Sequence, residues 1–298
     1  MLFGLSEKET SWRGVGLLAA VFLGSLLIAA VLTPPAYWLV EWWRDRTGSE
    51  TAQWLLDKGV DTYFDRLRMA SVILGLPWLM SKCHLWSWRA LGLAPEKNNM
   101  RRGVYGWIAG LAMILGLALW EGAHAAVNEG GLSIMKVCLT ALLAGLILGF
   151  LEEVVFRGMI LRIFYTTTRR PWLALTVMSA FFAYTHFKVP DAAWAHIAPG
   201  VHWDTGVFVA FWTTFGITED FNVAQFIVLW LLGMILGTLT LRTGSLLPAI
   251  GFHAGLITAL SFYRGSGLAD TWTAAIVLAG IFLVIVGFNH KESLTPSI

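Results

Sequence analysis

Windows of about 20 residues, each apolar enough to cross a hydrocarbon core about 30 Å thick, recur near positions 14–33, 64–81, 103–121, 137–164, 171–189, 222–241, 245–263 and 271–288. Lipid offers no water to a bare backbone, so a segment of this kind satisfies its own N–H and C=O groups as an α-helix. The pattern predicts an all-α, polytopic transmembrane bundle of about eight spans. The second window is the weakest, because Met69–Ser81 is short and contains Pro77, and Val207–Phe215 reads as an extra re-entrant piece. Gly14–Leu32 is longer than the apolar region of a secretory signal, so it is expected to be the first span. Pro34 and Pro35 are expected to turn the chain after it, with Trp38, Trp42 and Trp43 forming an interfacial belt.

Composition agrees with this class. The chain is 57% apolar and 13% charged, with 16 Trp and a mean hydropathy of +0.66, values outside the soluble globular range. The net charge of +2 is spread along the chain with no basic block, which removes nucleic acid as an expected partner. Cys83 and Cys138 are too few and too differently placed to form a disulfide framework or thiolate site. No linker, composition break or repeat divides residues 1–298, so one membrane-embedded domain is expected. Lys82, Arg89, Lys97, Arg101 and Arg102 crowd one loop and Arg169 and Arg170 another, while the alternate loops carry mainly Lys136 and Lys188. This asymmetry places both termini in the cytoplasm of a protein of the cytoplasmic membrane. The first loop, with Arg44, Arg46, Lys58, Arg66 and Arg68, opposes that orientation; its Trp54, Leu55, Tyr63 and Phe64 read as a helix lying on the outer interface.

Inside the apolar run 137–163 stand Glu152, Glu153 and Arg157. A charged side chain near the bilayer centre costs about 2.5–3.5 kcal/mol on insertion scales, so such residues are functional candidates or members of an internal pair. Glu153 and Arg157 are i,i+4 neighbours able to pair, whereas Glu152 lies about 100° around the helix above Phe156. One carboxylate is neutralised and the other left over as a candidate base. The bland alternative is a buried network that only locks helices together. His186 ends the fifth window, in a helix opened by Pro171, and His253 lies in the seventh, with Ser245 as a cap and Pro248 in the first turn. A lone histidine in an apolar helix is usually a packing residue; two of them beside an intramembrane Glu pair are each other's natural partners.

The ordered set Glu152-Glu153-x-x-x-Arg157, Phe182-x-x-x-His186 and His253 within Thr243-Gly-Ser-Leu-Leu-Pro-Ala-Ile-Gly-Phe-His253-Ala-Gly resembles the CAAX protease and bacteriocin-processing family of intramembrane endopeptidases. The resemblance runs from about Leu142 to Phe262, and a catalytic core of about 137–265 is expected from it. It implies a glutamate-type protease in which Glu152 and His186 activate a water, His253 holds the tetrahedral oxyanion, and Glu153, Arg157 and Phe182 support the site. The implied substrate is a hydrophobic or membrane-delivered peptide or protein, with no nucleotide and no cofactor. Prenyl-protease members carry Asn one turn after the third-motif histidine; here that position is Ile257, and the nearby Thr258 is rotated off the His253 face. A bacterial-type member with another substrate is therefore expected. At about 1.5 Å per residue, His253 lies roughly 12 Å from the start of its helix and His186 roughly 22 Å from the start of its own, so the two meet only if the fifth helix begins well beyond the seventh.

Rival constellations are weaker. Glu121 and His124 form a single Glu-x-x-His pair at a helix end, and Asp191, His196, His202 and Asp204 share a loop at spacings that match no familiar metal site. No HExxH, GxSxG or phosphate-binding glycine loop occurs. Glu152, His186 and His253 are also one carboxylate and two imidazoles, the donor set of a catalytic Zn2+; a metal-free water site is the preferred reading. Two non-hydrolytic functions stand beside the protease. A membrane scaffold or bacteriocin self-immunity factor is favoured by Ile257, and a proton-coupled carrier is disfavoured by the lack of paired interrupted helices in the two halves.

Overall fold

In the computed structural model, the structure describes residues 12–94, 96–121, 134–186, 200–215, 221–261 and 272–287, and every regular element among them is helical. The helices are α1 (Trp12–Thr47), α2 (Glu50–Leu56), α3 (Val60–Lys82), α4 (Lys97–Glu121), α5 (Ile134–Glu153), a π-helical segment (Val154–Ile160), α6 (Leu161–Thr168), α7 (Pro171–Tyr184), α8 (Thr205–Phe215), α9 (Val223–Thr243), α10 (Leu247–Leu260) and α11 (Trp272–Gly287). Four stretches are long and apolar enough to cross a membrane: α1, α4, the continuous run Cys138–Thr168, and α9. This is the pattern of an integral membrane protein. The remaining windows fall short of that measure for local reasons. Helices α7 and α10 are apolar but 14 residues each, about 21 Å, and α3 opens with charged residues at Asp61, Asp65, Arg66 and Arg68.

Contacts group the chain into two compact units, a division that no linker in the sequence marks. One unit comprises Trp12–Cys83 with Phe187–Phe221. In it α1 packs on α3 and α8 around Ala29, Ala30, Phe64 and Val209, all buried. The small alanines leave room for Phe64, so this ring lies in the core and not on an outer interface. Trp54 does remain exposed, with the Lys58 ammonium 4.6 Å from its ring. The turn expected at Pro34 and Pro35 is absent: α1 continues through both to Thr47. Prolines are tolerated within membrane helices more readily than in water; the N–H groups missing here are those that would meet the Ala30 and Val31 carbonyls, and one turn earlier the Thr33 hydroxyl donates to the Ala29 carbonyl at 2.6 Å. Beyond the prolines, Trp42 is exposed, whereas Trp38 donates its indole N–H to the Val201 carbonyl at 3.0 Å.

The second unit comprises His84–His186 and the chain from Asn222 onward, and it holds all six singled-out site residues. Its centre is α10, wedged between α4 and α5. Glycines make the approach possible. A Cβ on Gly106 would lie 2.5 Å from the Pro248 carbonyl oxygen, one on Gly110 would collide with the Phe252 carbonyl, and one on Gly255 with the Trp107 carbonyl. Gly145 and Gly149 of α5 meet the opposite side of α10 at Ala254 and Thr258, while Gly233 and Gly237 of α9 meet α7 at Ser179 and Leu175. Gly106/Gly110, Gly145/Gly149 and Gly233/Gly237, each at four-residue spacing, are thus helix contacts. Gly110→Val is expected to destabilise the fold by about 1–3 kcal/mol through overpacking against backbone that cannot yield. Gly116→Val, whose Cβ would meet nothing within 4 Å, should leave stability within about 0.5 kcal/mol. Thermal unfolding in detergent compares the two.

The contacts also set the depth of α10. Gly149 lies against Ala254 and Gly158 against the Leu246 side chain, so the two helices run antiparallel and α10 opens level with Gly158. The α5–α6 chain runs ten residues further, to Thr168, about 15 Å at helical rise, before α7 turns back along α6. Helix α7 therefore starts well beyond α10, the condition that lets His186 and His253 reach the same level.

Candidate active site

Glu152 and Glu153 are the last two residues of α5. The backbone then widens into the π segment, whose exit is marked by the Leu161 N–H donating to the Phe156 carbonyl five residues back. Such segments are rare and recur at functional sites. Arg157 lies within it, and its Nη1 donates to Glu153 Oε1 at 2.7 Å. Both side chains are fully buried, as the sequence pairing anticipated. The same carboxylate oxygen faces His253 Nδ1 at 2.8 Å. Glu153 is thus the hub joining α5, the π segment and α10. The Arg157 guanidinium also lies 4.4 Å from the centroid of the Phe182 ring, a cation–π contact that strengthens when desolvated.

Phe182 and His186 come from the end of α7, which stops at Tyr184. The His186 ring packs on Phe182 with centroids 4.5 Å apart, and its Nδ1 lies 2.8 Å from the Phe182 carbonyl. A carbonyl only accepts, so Nδ1 carries the proton and donates. In the neutral ring this leaves the Nε2 lone pair free, and Nε2 lies 3.7 Å from Glu152 Oε2. His253 is held in the same sense: its Nδ1 donates to Glu153, whose pairing with Arg157 keeps it an acceptor, and its Nε2 lies 3.9 Å from that same Glu152 oxygen.

Glu152, His186 and His253 therefore converge on one point from α5, the end of α7 and α10. Glu152 and His186 are about 30% exposed, at 29% and 31%, while His253 is 6% exposed, so the three groups meet at the edge of the buried hub. Glu152 Oε2 and Glu153 Oε2, with Nε and Nη2 of Arg157, are buried atoms with no hydrogen-bonding partner among the described residues. The separations of 3.7 and 3.9 Å are too long for direct hydrogen bonds, and are of the size that one small polar molecule between the three groups would bridge. Among the described residues no group of three or more His, Cys, Asp or Glu side chains is arranged to hold a metal ion.

The supporting and rival residues fall out as follows. Ile257 is half-buried one turn after His253, and the Thr258 hydroxyl is committed to the Ala254 carbonyl at 2.7 Å. Ser245 caps the start of α10 from one residue further out than Leu246, accepting from the Leu247 N–H at 3.2 Å. His124, Asp191 and His196 lie outside the described residues, as does the side chain of Glu121. His202 and Asp204 are exposed, where His202 N–H donates to the Thr205 hydroxyl at the head of α8. Cys83 and Cys138 are free thiols. Two features gave no signal in the sequence reading. One is the π segment. The other is Arg162, 1% exposed, whose guanidinium lies 2.6 Å from the place a Gly92 Cβ would take; Gly92 has φ +75°, a conformation suited to glycine.

Comparison with known proteins bears on the same stretch. No curated protein and no solved structure matches the chain. Residues 134–259 match the family model described as Rce1-like: Type II CAAX prenyl endopeptidase Rce1-like, and these bounds run from the first residue of α5 to the last turn of α10, enclosing all three converging residues and their three supports. Helix α4, which clasps α10 from outside, precedes the match. The part of the chain that brings Glu152, His186 and His253 together is thus an Rce1-like domain of the type II CAAX prenyl endopeptidase family.

Proposed function

We propose that the protein is an intramembrane endopeptidase that hydrolyses a peptide bond of a membrane-associated peptide or protein with a water activated by Glu152 and His186. The observation that carries this reading is the meeting of Glu152, His186 and His253 around one point, with Glu152 Oε2 3.7 and 3.9 Å from the two ring nitrogens. In the proposed reaction the water oxygen attacks the peptide carbonyl carbon while its proton passes to Glu152, assisted by the His186 Nε2 lone pair. The carbonyl oxygen becomes an oxyanion. His253 donates to it through Nε2, and because Nδ1 already donates to Glu153, the ring carries two protons at that moment; the second comes from Glu152, the neighbouring carrier. Collapse of the intermediate breaks the C–N bond, and a proton returns to the leaving amine. General acid–base catalysis of this kind contributes typically 10²–10⁴-fold, and a preorganised oxyanion donor about 2.7–4 kcal/mol.

Ile257 places an apolar side chain where the prenyl-protease pattern has an amide, and Thr258 is turned to its own backbone. His253 is then the one side-chain donor that α10 offers the oxyanion, and the proposed substrate is a hydrophobic peptide segment that need not carry a prenyl group. The same reading keeps the eight crossings, the shorter helices included, and the cytoplasmic termini that the loop charges favour. Ile257 also favours the second reading, a membrane scaffold or bacteriocin self-immunity factor that uses the domain without hydrolysis.

The reconstituted protein, incubated with a library of hydrophobic peptides and followed by mass spectrometry, is expected to yield cleaved products at an unchanged rate after exhaustive chelation. Activity lost on chelation and restored by Zn2+ would instead make Glu152, His186 and His253 metal ligands. An absence of products from any peptide, with a phenotype that survives Glu152→Gln in cells, would favour the scaffold.

A further inference from the structure

A second polar cavity lies at the surface end of the same unit, away from Glu152. Its volume is about 420 Å3, and its walls include Arg89, Glu96, Asn98, Asn99, Arg102 and Gly244. Arg89 comes from the loop before α4, and Arg102 from the second turn of α4 itself. Neither guanidinium has an ion-pair partner among the described residues. Glu96 is the one carboxylate in the wall, and its Oε2 is turned to the Asn99 amide at 3.4 Å. Two guanidiniums against one carboxylate leave the lining net positive. The first turn of α4, which begins just after Glu96, contains no acidic residue and adds backbone N–H groups, and such groups favour an anion. Behind the wall at Gly92 sits the buried Arg162 side chain.

The surroundings indicate where such an anion comes from. On the same loop Trp86 and Trp88 are 64% and 68% exposed, and on the first turns of α4 Met100 and Tyr105 are exposed too, with the Arg101 guanidinium 5.8 Å from the Tyr105 ring. Exposed tryptophan and tyrosine beside arginine, at the mouth of an apolar helix, are the composition of a membrane–water interface. We propose that this cavity binds the phosphate of an anionic lipid headgroup, with Arg89 and Arg102 as its two charged contacts and Asn98 and Asn99 as hydrogen-bonding sides. The turn that floors it, Thr243 and Gly244, leads directly into α10, so an occupant braces the helix that carries His253.

The test uses the full chain in nanodiscs of phosphatidylcholine containing a minor fraction of phosphatidylglycerol, with retained lipid read by native mass spectrometry. The wild-type protein is expected to retain phosphatidylglycerol in preference to phosphatidylcholine, and Arg89→Gln with Arg102→Gln to weaken that retention about fivefold per charge removed. Arg101→Gln with Arg170→Gln, which removes the same charge outside the cavity, is expected to keep it. Equal loss in both double variants, or no preference in the wild type, would overturn the proposal in favour of a general surface attraction. Inorganic phosphate in pure phosphatidylcholine discs separates the sources: thermal stabilisation by phosphate matching that by phosphatidylglycerol would make this a free-anion site and overturn the lipid assignment. Should the Arg89/Arg102 variant fail to fold, displacement of phosphatidylglycerol from the wild type by glycerol phosphate reads the same contact, and failure to displace counts against it.

Discussion

Glu152→Gln is expected to lower peptide-bond hydrolysis by about 10²–10⁴-fold while leaving the amount of folded protein unchanged. The substitution keeps the shape of the side chain and removes only its capacity to take a proton. Glu152 is suited to such a clean experiment because its side chain is 29% exposed and its Oε2 makes no hydrogen bond among the described residues, so little of the fold depends on its charge. His186→Ala should act in the same direction, though with loss of the Phe182 ring contact as well. Rates on any peptide found in the library, together with the melting temperature of each variant, check both effects. A Glu152→Gln protein that retains full activity contradicts the assignment of the base.

The second large effect falls on stability. Arg157→Met should destabilise the protein by about 3–5 kcal/mol, because it leaves the Glu153 carboxylate buried with only His253 Nδ1 beside it. The loss of the guanidinium from the Phe182 face adds to this. Combining Arg157→Met with Glu153→Gln removes both charges and is expected to recover most of that cost, since replacing a buried pair as a whole is often neutral. Thermal unfolding of the two single variants and the double variant forms a cycle. Additive effects in that cycle would mean that Glu153 and Arg157 are not coupled as the 2.7 Å contact indicates. Activity separates support from catalysis: the double variant should be folded yet slow, because His253 loses the carboxylate that fixes its Nδ1 proton.

The cluster of Glu152, Glu153, Arg157, His186 and His253 was legible in the sequence because ionisable residues are conspicuous in apolar surroundings. Glu153 and Arg157 could be paired by helical spacing alone, and Glu152, His186 and His253 could be grouped because each lacked a local partner. Glycines at four-residue spacing, such as Gly106 and Gly110, are equally visible in the sequence, but not what each of them touches. That Gly106 and Gly110 lie against the Pro248–Phe252 backbone follows from three-dimensional fit that spacing does not encode. The π segment was invisible for a related reason: it arises from a shift of backbone hydrogen bonds after Glu153, which Val154–Ile160 do not announce by residue type. Pro34 and Pro35 read as a turn because isolated helices break there, whereas a packed membrane helix continues through them. Arg162 gives no sign in the sequence of its burial, which depends on the space that Gly92 leaves beside it. The windows at 171–189 and 245–263 are longer than the helices within them, which end at Tyr184 and Leu260.

The claim on which the account turns is that the point shared by Glu152, His186 and His253 hydrolyses peptide bonds. Its most direct test is the profile of new protein N-termini in membranes of cells producing the wild-type chain, compared with cells producing equal amounts of Glu152→Gln. The account predicts one or more membrane-protein termini present with the wild type and missing with the variant. Identical sets of termini in the two membranes would contradict it.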